Sequence, residues 1–284
     1  MKRWPIFVLI LCIVGLGAAY VFRGSFRDAW QAWRAPELPK AAVYRSTPTT
    51  TETVVRTEPS PEPTSTPVQI PIAKPVKTTA ATSTDPLAWK GAFPTEINLA
   101  VPFLSQAPKQ NWDMPYQEAC EEASAIMVDA YYRGRTGAFT PEQGDVAILA
   151  AIAYEQSHNL PPDFTAEQDA AFIRDYLGDA HVIVRPVSGP SDIKAALAHG
   201  YPVIVPAYGK VLGNPNYRNG GPPYHMLVIK GYLADGQWIT NDSGTRKGAD
   251  YLYNTDVLIN ALHDWNGGDV PNGKPVMIVI LPNS

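Results

Sequence analysis

The pattern of apolar and polar positions from residue 97 onward switches between a period of two and a helical period, and the switches mark the elements. INLAVPFL (97–104) alternates and predicts a strand. CEEASAIMVDAYYRG (120–134) places apolar residues at helical spacing and stops on Gly134. PEQGDVAILAAIAYEQSHN (141–159) opens on proline and is helical. TAEQDAAFIRDYLG (165–178) starts with a capping box, Thr165 to Gln168, and closes on glycine. HVIVRPV (181–187) predicts a strand, SDIKAALAHG (191–200) a short capped helix and YPVIVPAY (201–208) an apolar strand. HMLVIKGYL (225–233) and QWITND (237–242) flank Asp235-Gly236, a tight-turn signal, and predict a hairpin. TDVLINAL (255–262) is helical and KPVMIVIL (274–281) is a last strand. Helices come early and an antiparallel sheet late, so the expected fold class is α+β.

Before residue 88 the pattern is of another kind. Lys2 and Arg3 precede an uncharged run from Trp4 to Phe22. As a helix that run is about 28 Å long, close to the hydrocarbon thickness of a bilayer. It predicts a transmembrane anchor over residues 1–24; a signal peptide cleaved near GLGAA is the competing reading. Cys12 falls inside this run as an apolar filler. Positive charge at the start favours an inside N-terminus, so the rest of the chain is expected outside the cytoplasm, on a single-pass cell-membrane anchor. Residues 36–86 are dominated by proline and threonine and almost lack aromatics. Such a segment cannot bury enough apolar area to offset its ordering entropy. The expected organisation is thus an anchor (1–24), a disordered linker (25–87) and a folded domain (88–284) that folds on its own.

Charge follows the same division. Residues 1–87 hold 10 Lys/Arg and 6 Asp/Glu, whereas the remainder holds 13 and 21. An acidic folded domain argues against a nucleic-acid partner, because phosphate binding needs a basic face.

The candidate chemistry centres on Cys120, which has no cysteine partner within its domain. An unpaired cysteine outside the cytoplasm suggests a reactive thiol or an intermolecular bridge; the plain alternative is a buried small hydrophobe. Cys120 starts a predicted helix, where the helix dipole stabilises a thiolate, but Glu118, Glu121 and Glu122 work against that charge. A cationic partner is needed, and His225, at the mouth of a predicted strand after a Gly-Pro loop, fits the need. If Asp235-Gly236 forms a two-residue turn, Asp242 falls opposite Ile229, on the face of His225, and Asn241 faces away. Asp242 is therefore the expected orienting acceptor, although an ideal hairpin leaves it about 13 Å from His225 along the strand. The other four histidines suit helix ends or strand starts, and no cluster has metal-ligand spacing, so neither metal nor cofactor is expected.

The ordered set VPFLSQAPKQNW, ACEEASAIMVDAYY, GYPVIVPA, HMLVIKGY and TNDSGT resembles the C39-like cysteine peptidase family, papain-like proteins related to leader peptidases of bacteriocin exporters. The resemblance covers roughly residues 96–282. It implies a papain-like fold with N-terminal helices packed on an antiparallel sheet. It also implies Cys120 as nucleophile, His225 as general base, Asp242 as its orienter and Gln106 as an oxyanion-hole donor, with Gln117 as the competing donor. Glu121 stands where members commonly carry glycine. The expected function is a membrane-tethered, extracytoplasmic cysteine peptidase that acts on a peptide substrate through an acyl-thioester. A cell-wall amidase or endopeptidase acting on peptidoglycan peptides is the alternative enzyme. A non-catalytic surface-binding domain of the same fold is the alternative from another class, and Glu121 and Glu122 favour it.

Overall fold

A computed structural model describes residue 29 and residues 35–45, 85–179 and 181–282. The chain divides into a unit up to Pro39 and a unit from Lys40. In the first unit residues 36–39 carry no regular structure. The expected anchor and most of the expected linker lie outside the described residues, and among the described residues no helix is long and apolar enough to cross a membrane.

In the second unit the helices are α1 Cys120–Tyr132, α2 Pro141–His158, α3 Ala166–Phe172, α4 Pro190–Ala198, α5 Gly209–Leu212 and α6 Thr255–Ala261. The strands are β1 Ile97–Asn98, β2 Val182–Pro186, β3 Val203–Ala207, β4 His225–Tyr232, β5 Trp238–Asn241, β6 Tyr251–Tyr253 and β7 Val276–Ile280. The capping box at Thr165 forms as the sequence predicts, and Thr140 with Gln143 builds a second one at α2. Each box satisfies backbone donors that a helix start leaves open. Two expectations differ. INLAVPFL pairs only at its start, because Val101 and Leu104 turn into the core and Leu104 packs against Gly144 of α2. The helix from Thr165 gives way after Phe172 to one wider π turn, Ile173–Leu177, before Gly178 ends it.

The strands form one antiparallel sheet in the order β2-β7-β3-β4-β5-β6, with β1 paired to the far end of β4. This is the α+β class that the pattern predicts. Every residue of β3 and β4 is buried. Successive residues point to opposite faces, so both faces of these central strands are covered. The first helix, α1, packs across β4 and β3, and brings its N-terminus to the sheet.

Part of the stretch expected as linker belongs to this unit. Ala42 bridges to Leu99: its N–H donates to Asn98 O (2.8 Å), and its own carbonyl accepts from Ala100 N (2.8 Å). The Tyr44 ring meets Tyr132 edge-on at 4.9 Å, and Leu87 is buried. A fragment of residues 88–284 lacks all three contacts. It should fold, yet melt at least ~3 °C below a 40–284 fragment, the effect of about 1 kcal/mol at this size. Equal melting temperatures in a thermal scan would contradict a stabilising role for the segment.

The hairpin that carries the site is built differently from the ideal one. Its loop has three residues, Ala234 to Gly236: Leu233 N donates to Gln237 O (2.8 Å), and Gly236 takes a positive φ of 92°. Glycine adopts that conformation without strain. Beyond the loop, Gly231 pairs with Ile239 but Ile229 pairs with Thr240, so Lys230 is an extra, bulged residue. Each feature shifts the register by one residue. Two shifts restore the face that the two-residue turn predicts. They also set Asp242, continued from the Val228–Asn241 pair, level with Leu227, which is two positions from His225 rather than four. The separation along the strand falls to about 7 Å.

Candidate active site

Cys120 is the first residue of α1, entered through a short turn at Tyr116–Glu118. The N–H groups of a first helical turn have no partner inside their helix. The side chain is 5% exposed, and among the described residues Cys120 is a free cysteine. Its thiol donates to Glu121 Oε2 at 2.9 Å. Burial pushes the thiol pKa well above its ordinary value; the Glu121 carboxylate pushes it further, and a hydrogen bond from the Met226 backbone opposes the rise only in part. Met226 follows His225 directly, so the structure brings Cys120 to the start of β4. It does not give the thiolate that a helix N-terminus favours: burial first, and then the two glutamates at the same helix start, outweigh the dipole.

His225 and Asp242 are brought together as the parity of the hairpin predicts. His225 Nε2 lies 2.9 Å from Asp242 Oδ1, and both residues are almost fully buried. Asp242 also accepts from Gly244 N on Oδ1 (3.0 Å), and on Oδ2 from Tyr217 OH (2.6 Å), Tyr253 OH (2.6 Å) and Asn214 Nδ2 (3.0 Å). Burial alone would raise the Asp242 pKa. The imidazole beside it and the two tyrosine hydroxyls outweigh burial and hold the carboxyl below its ordinary value. The Tyr217 ring also stands edge-on to the His225 ring at 5.6 Å. A side chain at Gly244 would collide with that imidazole, its Cβ falling 2.8 Å from Cε1. Asn241 faces away, as expected: its Nδ2 donates to Val101 O at 3.0 Å, and it ties β5 to the segment that leads to Gln106.

Asn214, Tyr217 and Tyr253 were not legible as site residues. The first two sit in the loop between β3 and β4, and the third in β6, a three-residue strand too short to show a period.

Gln106 is buried beside the turn that leads into Cys120. Its Nε2 donates to Tyr116 O (3.0 Å) and Gln117 O (2.9 Å), and its Oε1 accepts from Ser243 Oγ (3.5 Å). Gln106 therefore links the Cys120 turn to the residue after Asp242. Both of its N–H donors are engaged. Gln117, the competing candidate, is exposed and bonds to neighbouring Glu118 at 2.8 Å.

Behind the thiol lies a buried group of carboxyls. Glu121 Oε1 accepts from Phe164 N (3.2 Å). Glu122 and Glu155 interact with each other, and Glu155 Oε1 and both oxygens of Asp169 have no hydrogen-bond partner. Among the described residues no group of three or more His, Cys, Asp or Glu is placed to hold a metal ion. Burial pushes Glu121 up to about 8 and Glu155 up to about 7, and raises Glu122 and Asp169 well above the usual range. A carboxyl raised by folding binds its proton more tightly when folded. Its contribution is complete below its unfolded value, near pH 4, and is lost as pH rises through the folded value. Asp242 has the opposite sign, but its contribution is lost only as the pH falls through acidic values. Between about pH 5.5 and 8.5 the carboxyl group therefore dominates, and the melting temperature should fall by about 5 °C or more. A melting temperature that rises across that window in thermal scans would contradict the buried cluster.

A thiol, an imidazole and a carboxylate that holds the imidazole are the parts of a cysteine hydrolase. The chain belongs to the Peptidase_C39 like family, whose profile matches residues 98–267. No curated protein matches the chain significantly. Similar solved structures include a protein of Bacillus anthracis described as a C39-like peptidase, with 13% identity and a TM-score of 0.42, covering 66% of this chain and 99% of that one. A prointerpain A fragment of Prevotella intermedia has 12% identity and a TM-score of 0.45, covering 68% and 74%. Active interpain A cysteine protease of the same organism has 14% identity and a TM-score of 0.41, covering 66% and 95%.

Proposed function

We propose that the chain is a cysteine peptidase with a papain-like fold, in which Cys120 is the nucleophile, His225 its base and Asp242 the group that orients the base. The observation that carries this reading is the buried His225–Asp242 pair at 2.9 Å beside the start of α1. Asp242 engages Nε2, which leaves Nδ1 as the ring nitrogen free to take a proton. The Cys120 proton passes to Nδ1 as the sulfur attacks the carbonyl carbon of a peptide. The negative oxygen that develops faces the Cys120 backbone N–H, and a Gln106 amide proton joins it if that proton leaves its present carbonyl. Donors of this kind lower the barrier by about 3–4 kcal/mol each. The imidazolium then returns its proton to the leaving amine, the C–N bond breaks and an acyl-thioester remains. Water, deprotonated by His225, attacks the thioester and restores the thiol.

The substrate class in this reading is a peptide, with cell-wall peptides as the variant that a surface location suits. The uncharged run at 4–22 and the proline-rich stretch after it support a membrane-tethered domain outside the cytoplasm, and the acidic balance of residues 88–284 argues against a nucleic-acid partner. One observation favours a second reading, a non-catalytic binding domain: the thiol donates to Glu121 rather than to His225. Acylation of native protein by an ester reporter separates the two, since only the enzyme acylates Cys120 before denaturation.

A further inference from the structure

Glu121 differs from the other acidic residues near the thiol. It is 1% exposed, and both of its carboxyl oxygens have assigned partners: Oε1 accepts from Phe164 N at 3.2 Å and Oε2 from the Cys120 thiol at 2.9 Å. The carboxyl is fixed from two sides, by the helix that carries the nucleophile and by the segment that enters α3. A thiol has one proton, and here that proton is directed to Glu121. The titratable groups that face Glu121 are Cys120 and Glu122 on α1, Asp163 before α3, Asp169 on α3 and Tyr224 before β4. None of these is a cation, so nothing among them neutralises the carboxylate in favour of a thiolate.

We propose that Glu121 is a positioning residue that restrains the nucleophile: it holds the Cys120 proton in the resting protein and yields the sulfur to His225 only when it is protonated or displaced. The inference rests on the reading of Cys120 as the nucleophile. It also accounts for a bulky acid directly after a reactive cysteine, because the acid suppresses reaction in the absence of a bound substrate. Burial raises the thiol pKa and the Glu121 charge raises it further, which agrees with the geometry.

The test is the rate of Cys120 alkylation by iodoacetamide in the native protein, followed from pH 6 to pH 10 in wild type, Glu121→Gln and His225→Ala. Glutamine keeps the size and the acceptor oxygen but removes the charge. The restraint predicts that Glu121→Gln moves the profile at least one pH unit lower and alkylates about tenfold faster at pH 8, the gain in thiolate that one unit brings. An unchanged or slower profile in Glu121→Gln, with alkylation that still depends on His225, overturns this inference and leaves the proposed nucleophile standing. If Cys120 reacts only after denaturation in both proteins, the nucleophile itself is wrong and the restraint falls with it. Should Glu121→Gln fail to fold, Glu121→Ala decides by the same profile: a shift of at least one pH unit downward supports the restraint, and an unchanged or higher profile overturns the proposal.

Discussion

His225→Ala should lower the rate of Cys120 acylation by an ester reporter about 10⁴-fold, the scale on which a thiol or hydroxyl nucleophile depends on its base. The reason is specific to this site. Burial and Glu121 keep the thiol protonated well above its ordinary pKa, so almost no thiolate is present without a group to take the proton. The helix dipole, a fraction of a unit charge, does not replace that group. The fold should survive the change, because Asp242 keeps its bonds to Gly244, Tyr217, Tyr253 and Asn214 when the imidazole is gone. Single-turnover acylation and a thermal scan of the same sample check both halves. A loss of less than about tenfold, with the fold intact, would remove His225 from the mechanism.

The second large effect belongs to Asp242, and here the structure changes the expectation drawn from the hairpin alone. Parity predicts a variant that loses turnover and keeps its fold. Asp242 is instead the shared acceptor of five donors, all at least partly buried. Asp242→Ala leaves those donors open and should cost about 3–5 kcal/mol of stability as well as orders of magnitude in acylation. Asp242→Asn keeps an oxygen for His225 Nε2 but turns an amide towards Asn214, Tyr217 and Tyr253. The hydroxyls can rotate to accept, whereas the Asn214 amide must turn over. This variant should acylate at least ~10-fold faster than Asp242→Ala, the value of one retained hydrogen bond, and remain less stable than wild type. Asn241→Ala removes the tie to Val101 and should lower the melting temperature while the acylation rate stays within about tenfold of wild type. The opposite pattern, with acylation lost in Asn241→Ala and kept in Asp242→Ala, would contradict the register shown by the hairpin.

The sequence carries the local signals well and the long-range ones poorly. Thr165 and Gln168 are three residues apart and cap a helix by themselves, so their box is legible. The hairpin was legible to its face and not to its register. Asp235-Gly236 announces a turn without stating whether Ala234 joins the loop, and nothing in HMLVIKGY marks Lys230 as a bulge. The two shifts add to an even number, and so Asp242 lands on the expected face and two residues nearer. The cage around Asp242 was illegible because its members come from the β3–β4 loop and from β6, which share no sequence pattern. From sequence Glu121 is only a charge that opposes a thiolate. That it is buried, and bonded to the thiol itself, depends on Phe164, 43 residues along the chain. The place of Ala42 and Tyr44 on the folded unit was hidden for a similar reason, since the composition around them is that of an unfolded linker.

The central claim is that the Cys120 sulfur, served by His225, forms the covalent intermediate. Its most direct test traps the acyl group from an ester reporter on native protein and locates it by peptide mapping. The account predicts one acyl group per chain, on Cys120, absent in Cys120→Ala and slowed about 10⁴-fold in His225→Ala. An acyl group on another residue, or native protein that takes none until it is denatured, would contradict it.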